Sequence, residues 1–150
     1  MQLVQLIDEE LIQLQLGGER KAEVISEMID LLHQAGALAD RNAFAQAIEA
    51  REAQGHTGIG FGIAIPHGKS DAVRTPRVAV GIKPSGLKWD GQDEEDVKIV
   101  FMIAVPESQA GNEHLKILQL LAVKLIDETF RAQLLAATNK EEVLQLLADV

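Results

Sequence analysis

Apolar positions return every three or four residues at Ala22, Ile25, Met28/Ile29 and Leu32, which predicts a helix over 19–35 that Gly36 ends. Ahead of it, residues 2–16 mix short apolar pieces, and Gln13-Leu14-Gln15-Leu16 alternates as a strand does before Gly17-Gly18. Asp40 is placed to cap a second helix reaching about Ala53, with Phe44, Ala47 and Ile48 on its inner face. A glycine-rich run, Thr57 to Gly62, leads into Ile63-Ala64-Ile65. Two further strands are predicted at 77–82 and 97–105, the second apolar enough to be buried on both faces. Between them, Pro84-Ser85-Gly86 and Asp90-Gly91 read as turns. Asn112 caps a long helix to about Ile126, with Leu115, Leu118/Gln119, Ala122 and Leu125/Ile126 in register. Thr138-Asn139-Lys140-Glu141 fits a capping box for a last helix to Ala148. Helices at both ends enclosing central strands give an α/β fold around one sheet, in which sites lie at the carboxyl ends of strands.

At 150 residues without a linker or repeat, the chain is read as one domain over 1–150. Its net charge of −9 disfavours nucleic acid and would steer a basic protein partner toward it. The absence of cysteine removes disulfides, thiolate nucleophiles and zinc–thiolate sites. No basic-then-apolar leader opens the sequence, and the apolar run from Ile99 to Pro106 is far shorter than the roughly 18 residues of a membrane span. A cytoplasmic protein is expected. No metal is expected, because no histidine pair has the spacing of four that a helical site uses. No cofactor is expected either. Gly68-Lys69-Ser70 resembles the tail of a phosphate-binding loop, but Ile63 stands where that motif needs glycine.

The chemistry centres on His67. Pro66 stiffens the approach, Gly68 frees the exit, and a neutral imidazole has a lone pair available for attack. His114 follows Gly111-Asn112-Glu113 and is expected in the first turn of its helix, where N–H groups suit an anion; a plain surface histidine fits there equally. Arg51 continues the apolar stripe of its helix, three residues after Ile48, and so needs an anion or a carboxylate such as Glu52. Thr57 can donate to a phosphate or an imidazole, or act as a local cap. Lys69 and Ser70 lie within reach of a group bound at His67.

Arg51-Glu52, Thr57 to Gly62, Gly62-Ile63-Ala64-Ile65-Pro66-His67-Gly68 and Asn112-Glu113-His114-Leu115 together resemble the enzyme IIA domain of the fructose/mannitol branch of the bacterial phosphoenolpyruvate-dependent sugar phosphotransferase system. The resemblance runs over nearly the whole chain. Phe101 to Pro106 and His114-Leu115-Lys116-Ile117-Leu118 resemble its fructose subgroup. It implies a single α/β domain with a mixed central sheet flanked by helices. It also implies that the histidine matching His67 takes a phosphoryl group from HPr and hands it to a cysteine of enzyme IIB. Residues matching His114 and Arg51 line that site, and the Thr57 hydroxyl is expected to steady phosphoryl oxygens. The membrane would be met only through the enzyme IIC permease. The rival within the same resemblance is a nitrogen-regulatory enzyme IIA, which acts by binding other proteins.

Overall fold

Strand β6 (Val97–Val105) is the axis of the molecule: along it only Lys98 is exposed, so both faces of the strand are covered. The computed structural model describes residues 2–90, 95–148 and 150, with the backbone alone for 109–114. Around β6 lies a mixed six-stranded sheet in the order β1-β5-β6-β3-β2, with β4 also paired to β6. Its other strands are β1 (Ile12–Gln13), β2 (Gly58–Gly60), β3 (Ile63–Ala64), β4 (His67–Lys69) and β5 (Arg77–Leu87). β5 runs antiparallel to β6, with Val80 opposite Phe101, whereas β3 and β4 run parallel to it. Among the described residues the helices are α1 (Lys21–Gln34), α2 (Arg41–Glu52), α3 (Ala110–Leu125), α4 (Glu128–Ala136) and α5 (Lys140–Leu147). Helices α1 and α2 pack on each other and on β5 and β4; α3 and α4 pack on each other and on β6 and β5. The expected α/β fold with a mixed sheet is what the chain forms.

Several local expectations shift. The first strand is Ile12–Gln13, because Leu3–Leu6 and Glu9–Leu11 coil as 3-10 turns that bury Leu3, Leu6 and Leu11. In α1 the core stripe is Val24, Met28, Ile29 and Leu32, and Ala22 faces outward. β5 continues through Pro84-Ser85-Gly86; an irregularity between Ile82 and Leu87, with Gly86 at φ 74°, absorbs these residues. Helix α3 begins at Ala110, so Asn112 lies inside it. Its buried side is Ile117, Leu121 and Leu125, leaving Leu115 and Ile126 exposed. Helix α4, absent from the sequence reading, is capped by Asp127, whose carboxylate accepts from the N–H groups of Thr129 and Phe130. The cap of α5 is Asn139, one residue later than expected, with Glu142 closing the box on Thr138.

The glycine-rich run also differs from expectation. It forms β2 and turns back at Phe61-Gly62 into β3; Phe61 has φ 59°, a left-handed conformation rare for a side-chain-bearing residue. The Phe61 ring lies 4.5 Å from the guanidinium of Arg131, whose Nη1 donates to the carbonyls of Leu125 and Ile126 at the end of α3. β3 and β4 behave as one strand interrupted at Ile65-Pro66, for pairing with β6 resumes in the same register: Ile63 opposite Ile99, His67 opposite Ile103. His67 therefore opens a short strand.

Gly68 is needed for a reason other than backbone freedom: its φ is ordinary. A Cβ there would come within 3.2 Å of Ile48 Cδ1 and Phe44 Cε1, so the missing side chain lets α2 lie directly on β4. Gly68→Val is expected to push the helix outward and cost roughly 1–3 kcal/mol. Urea unfolding checks this; an unchanged midpoint would mean that α2 is not pressed against the strand.

Candidate active site

Phe44 and Ile48, four residues apart on α2, are wholly buried, and Arg51 follows three residues later on the last turn. That spacing carries the guanidinium to the edge of β4. There Arg51 Nε donates to Nε2 of His67 at 3.0 Å. The other ring nitrogen, Nδ1, lies 2.8 Å from the carbonyl oxygen of Ile65. A carbonyl only accepts, so Nδ1 carries the proton and Nε2 the lone pair. The imidazole is thus held as one neutral tautomer, half-buried, with its basic nitrogen toward α2.

Burial holds the His67 pKa below its ordinary value near 6.5; the Ile65 carbonyl opposes this and the Arg51 guanidinium adds to it. Glu52 on α2 and Lys69 on β4 are the other charged groups acting on the ring, the first raising and the second lowering its pKa. A pocket of about 390 Å³ opens in front, lined by Ala50, Arg51, Gln54, His67, Gly68 and Lys69 among others. A more apolar groove of about 450 Å³ lies between α1 and α2, but no histidine lines it, and His67 opens into the smaller pocket.

Thr57 is placed differently from expectation. Its hydroxyl is buried and donates to Glu52, at 2.5 and 2.9 Å from the two carboxylate oxygens, while accepting from Trp89 Nε1 at 3.1 Å. With its one proton on Glu52, it has none to give a phosphoryl oxygen. Glu52 leaves Arg51 alone and instead lies 3.5 Å from Lys21 Nζ, which also pairs with Asp90 at 2.9 Å. Asp90 further accepts from the Gly58 N–H at 3.2 Å and meets His56 Nδ1 at 3.3 Å. Burial would raise the Asp90 pKa, but Lys21 and the Gly58 N–H together hold it below the usual carboxylate value.

Sequence reading named Glu52 only as a partner for Arg51, and it missed Lys21, Trp89 and Asp90 as parts of the site. The available signals were the single tryptophan next to an aspartate and the carboxylate directly after Arg51. Ser70 Oγ accepts from the Ala72 N–H in a turn, and Lys69 is exposed beside His67. His114 lies on α3, past its first turn rather than in it; its side chain is outside the described residues. Among the described residues no group of histidines and carboxylates could hold a metal, and no helix is long and apolar enough to cross a membrane.

The family described as "Phosphoenolpyruvate-dependent sugar phosphotransferase system, EIIA 2" matches residues 5–150. A fructose-specific EIIA component of Haloferax volcanii is 41% identical over 141 residues, covering 94% of this chain and 91% of that one. The fructose-specific EIIABC component of Bacillus subtilis is 39% identical over 98% of this chain, which spans only 23% of that longer protein. Among solved structures, nitrogen regulatory protein IIA-Ntr of Neisseria meningitidis superposes with a TM-score of 0.87 at 30% identity, covering 96% of this chain and 97% of that one. Enzyme IIAMTL of Escherichia coli, solved in complex with phosphorylated enzyme IIBMTL, gives 0.83 at 28% identity over 96% and 98%. The chain belongs to the EIIA 2 family of the sugar phosphotransferase system.

The His67 geometry has a pH consequence. Because the folded-state pKa is lowered, the unfolded imidazole binds a proton at higher pH than the folded one. The stability this contributes is full above about pH 6.5 and is lost as pH falls through the folded value. The stability of wild type relative to His67→Gln is expected to shrink on acidification from about pH 7.5 to about pH 5. By NMR, His67 should titrate below 6.5, and Arg51→Gln should move that midpoint upward. A midpoint at or above the ordinary value would mean that burial and Arg51 do not outweigh the Ile65 carbonyl.

Proposed function

We propose that this member of the EIIA 2 family is a phosphocarrier in which His67 Nε2 accepts a phosphoryl group from phospho-HPr and passes it to a cysteine of enzyme IIB. The observation that carries the reading is the imidazole held by Ile65 at Nδ1 with its lone pair presented at Nε2. In the first step that lone pair forms the new bond to phosphorus while the donor's bond to phosphorus breaks. Nδ1 keeps its proton, and the Ile65 carbonyl stabilises the positive charge that develops on the ring, as an orienting group does for any catalytic imidazole. In the second step a thiolate of enzyme IIB takes the phosphoryl group, the phosphorus–nitrogen bond breaks, and the ring returns to its neutral form.

Arg51 covers the lone pair in the resting protein, so it gives up that hydrogen bond as phosphorus arrives. Its guanidinium then has donors for the phosphoryl oxygens, which is most of what phosphoryl transfer asks of a protein. His114 is assigned a second contact to those oxygens, supported by its place early on α3 and by the family resemblance. A site with few cations suits a relay, because holding the phosphoryl group tightly would slow its onward transfer.

The partner expected by charge is basic, matching a net charge of −9. Enzyme IIB supplies the cysteine that this chain lacks, and the sugar, read here as fructose, meets only the membrane-bound permease. The protein's work is assigned to the cytoplasm. The fructose role is favoured over the nitrogen-regulatory one by the two fructose-specific relatives, which match along almost the whole chain. The structural likeness to IIA-Ntr speaks for the second reading.

Incubation with phosphoenolpyruvate, enzyme I and HPr is expected to add one phosphoryl group at His67, located by mass spectrometry. His67→Ala should fold and take up none; label on another residue of that variant would overturn the assignment. Arg51→Ala should slow uptake by about 10²-fold, the scale seen when one donor to a developing charge is removed.

A further inference from the structure

We infer that Glu52 and Thr57 form a lock that aims Arg51 at His67, and that both are positioning residues for the transfer rather than contacts to the phosphoryl group. The inference rests on the phosphocarrier reading above. Helix α2 ends at Glu52, and the bond between the Thr57 hydroxyl and the Glu52 carboxylate closes the turn that follows. Inside that turn lies Gly55, whose carbonyl accepts from Arg51 Nη1 at 3.3 Å. The guanidinium is therefore held at two points: Gly55 through Nη1 and His67 through Nε. Fixing the turn fixes the first point, and with it the direction of the second.

Thr57 also reaches the histidine side. Its backbone carbonyl accepts from the Ile65 N–H at 2.9 Å, and the Ile65 carbonyl is the group that holds His67 Nδ1. One residue thus anchors the arginine through its side chain and the imidazole through its main chain. Thr57 is 3% exposed and its hydroxyl is braced by Trp89 Nε1, so no water competes for it easily.

The lock has an electrostatic side as well. Arg51 and Glu52 are adjacent in sequence and of opposite charge, and a direct pair would draw the guanidinium away from His67. Thr57 and Lys21 occupy the carboxylate instead, at 2.5 and 3.5 Å. Arg51 keeps its charge for the site.

The test is a double-mutant cycle on the full chain, reading the rate of phosphoryl uptake at saturating phospho-HPr and the ring nitrogens of His67 by NMR. Thr57→Val and Glu52→Ala are each expected to slow uptake about tenfold to a hundredfold, the scale of a small misplacement of a reacting group. Together they should cost no more than either alone, because they open the same lock. The His67 titration midpoint should rise in Thr57→Val, which leaves the Glu52 charge in place, and Thr57→Ser should restore most of the rate. Glu52→Gln keeps an acceptor for the hydroxyl and should lose less than Glu52→Ala, which preserves a test if the valine variant does not fold. Losses that add in the double variant, equal losses in Glu52→Gln and Glu52→Ala, or an unmoved His67 titration in Thr57→Val would overturn the proposal. Wild-type protein that takes up no phosphoryl group at His67 would overturn the functional reading instead, while the ring nitrogens still report on the lock.

Discussion

The peptide unit of Ile65 donates its N–H to Thr57 and gives its carbonyl to the ring of His67. The next carbonyl, that of Pro66, accepts the Ile103 N–H of β6, so the Ile65 carbonyl, one residue earlier, faces the opposite edge of the strand and is available to the ring. That carbonyl sets the tautomer, the tautomer sets which nitrogen is basic, and that nitrogen faces the end of α2. Nearly every other feature of the site serves to keep α2 where it can answer. Gly68 allows close approach, Phe44 and Ile48 fill the contact, and the turn after Glu52 holds the guanidinium.

Around this arrangement the charges are shared out so that none is left buried alone. Lys21 lies between Glu52 and Asp90, and its ammonium also sits 5.3 Å from the centre of the Trp89 ring. Asp90 in turn takes the first N–H of β2. Three separate pieces of chain, α1, the end of α2 and the segment after β5, are thereby tied to the start of the glycine-rich hairpin. Burying one such carboxylate without its partners would be costly, so the cluster behaves as a unit.

The sequence revealed the architecture through periodicity: α1, α2 and β6 follow directly from the spacing of their apolar residues. It was less informative where two signals competed. Pro84-Ser85-Gly86 has turn composition, yet the pairing of β5 with β6 on both sides carries the strand through it. In α3 the leucines are so frequent that two faces look equally apolar, and only packing decides that Ile117, Leu121 and Leu125 go inward. At the site, His67 was legible because Pro and Gly bracket it, and Arg51 because it interrupts an apolar stripe. The destination of the Thr57 hydroxyl was not legible, since it depends on Trp89, thirty-two positions away in sequence. Local chemistry announces which groups are reactive; it is silent on which distant groups hold them.

Arg131 stacks on the left-handed Phe61 and caps the carbonyls of Leu125 and Ile126, so one side chain clips the hairpin tip to the far end of α3. Buried Ile117, Leu121 and Leu125 already lay α3 along the sheet, and the clip adds a tie at its carboxyl end. The helix that carries His114 and the hairpin that leads into His67 are thereby joined through a guanidinium.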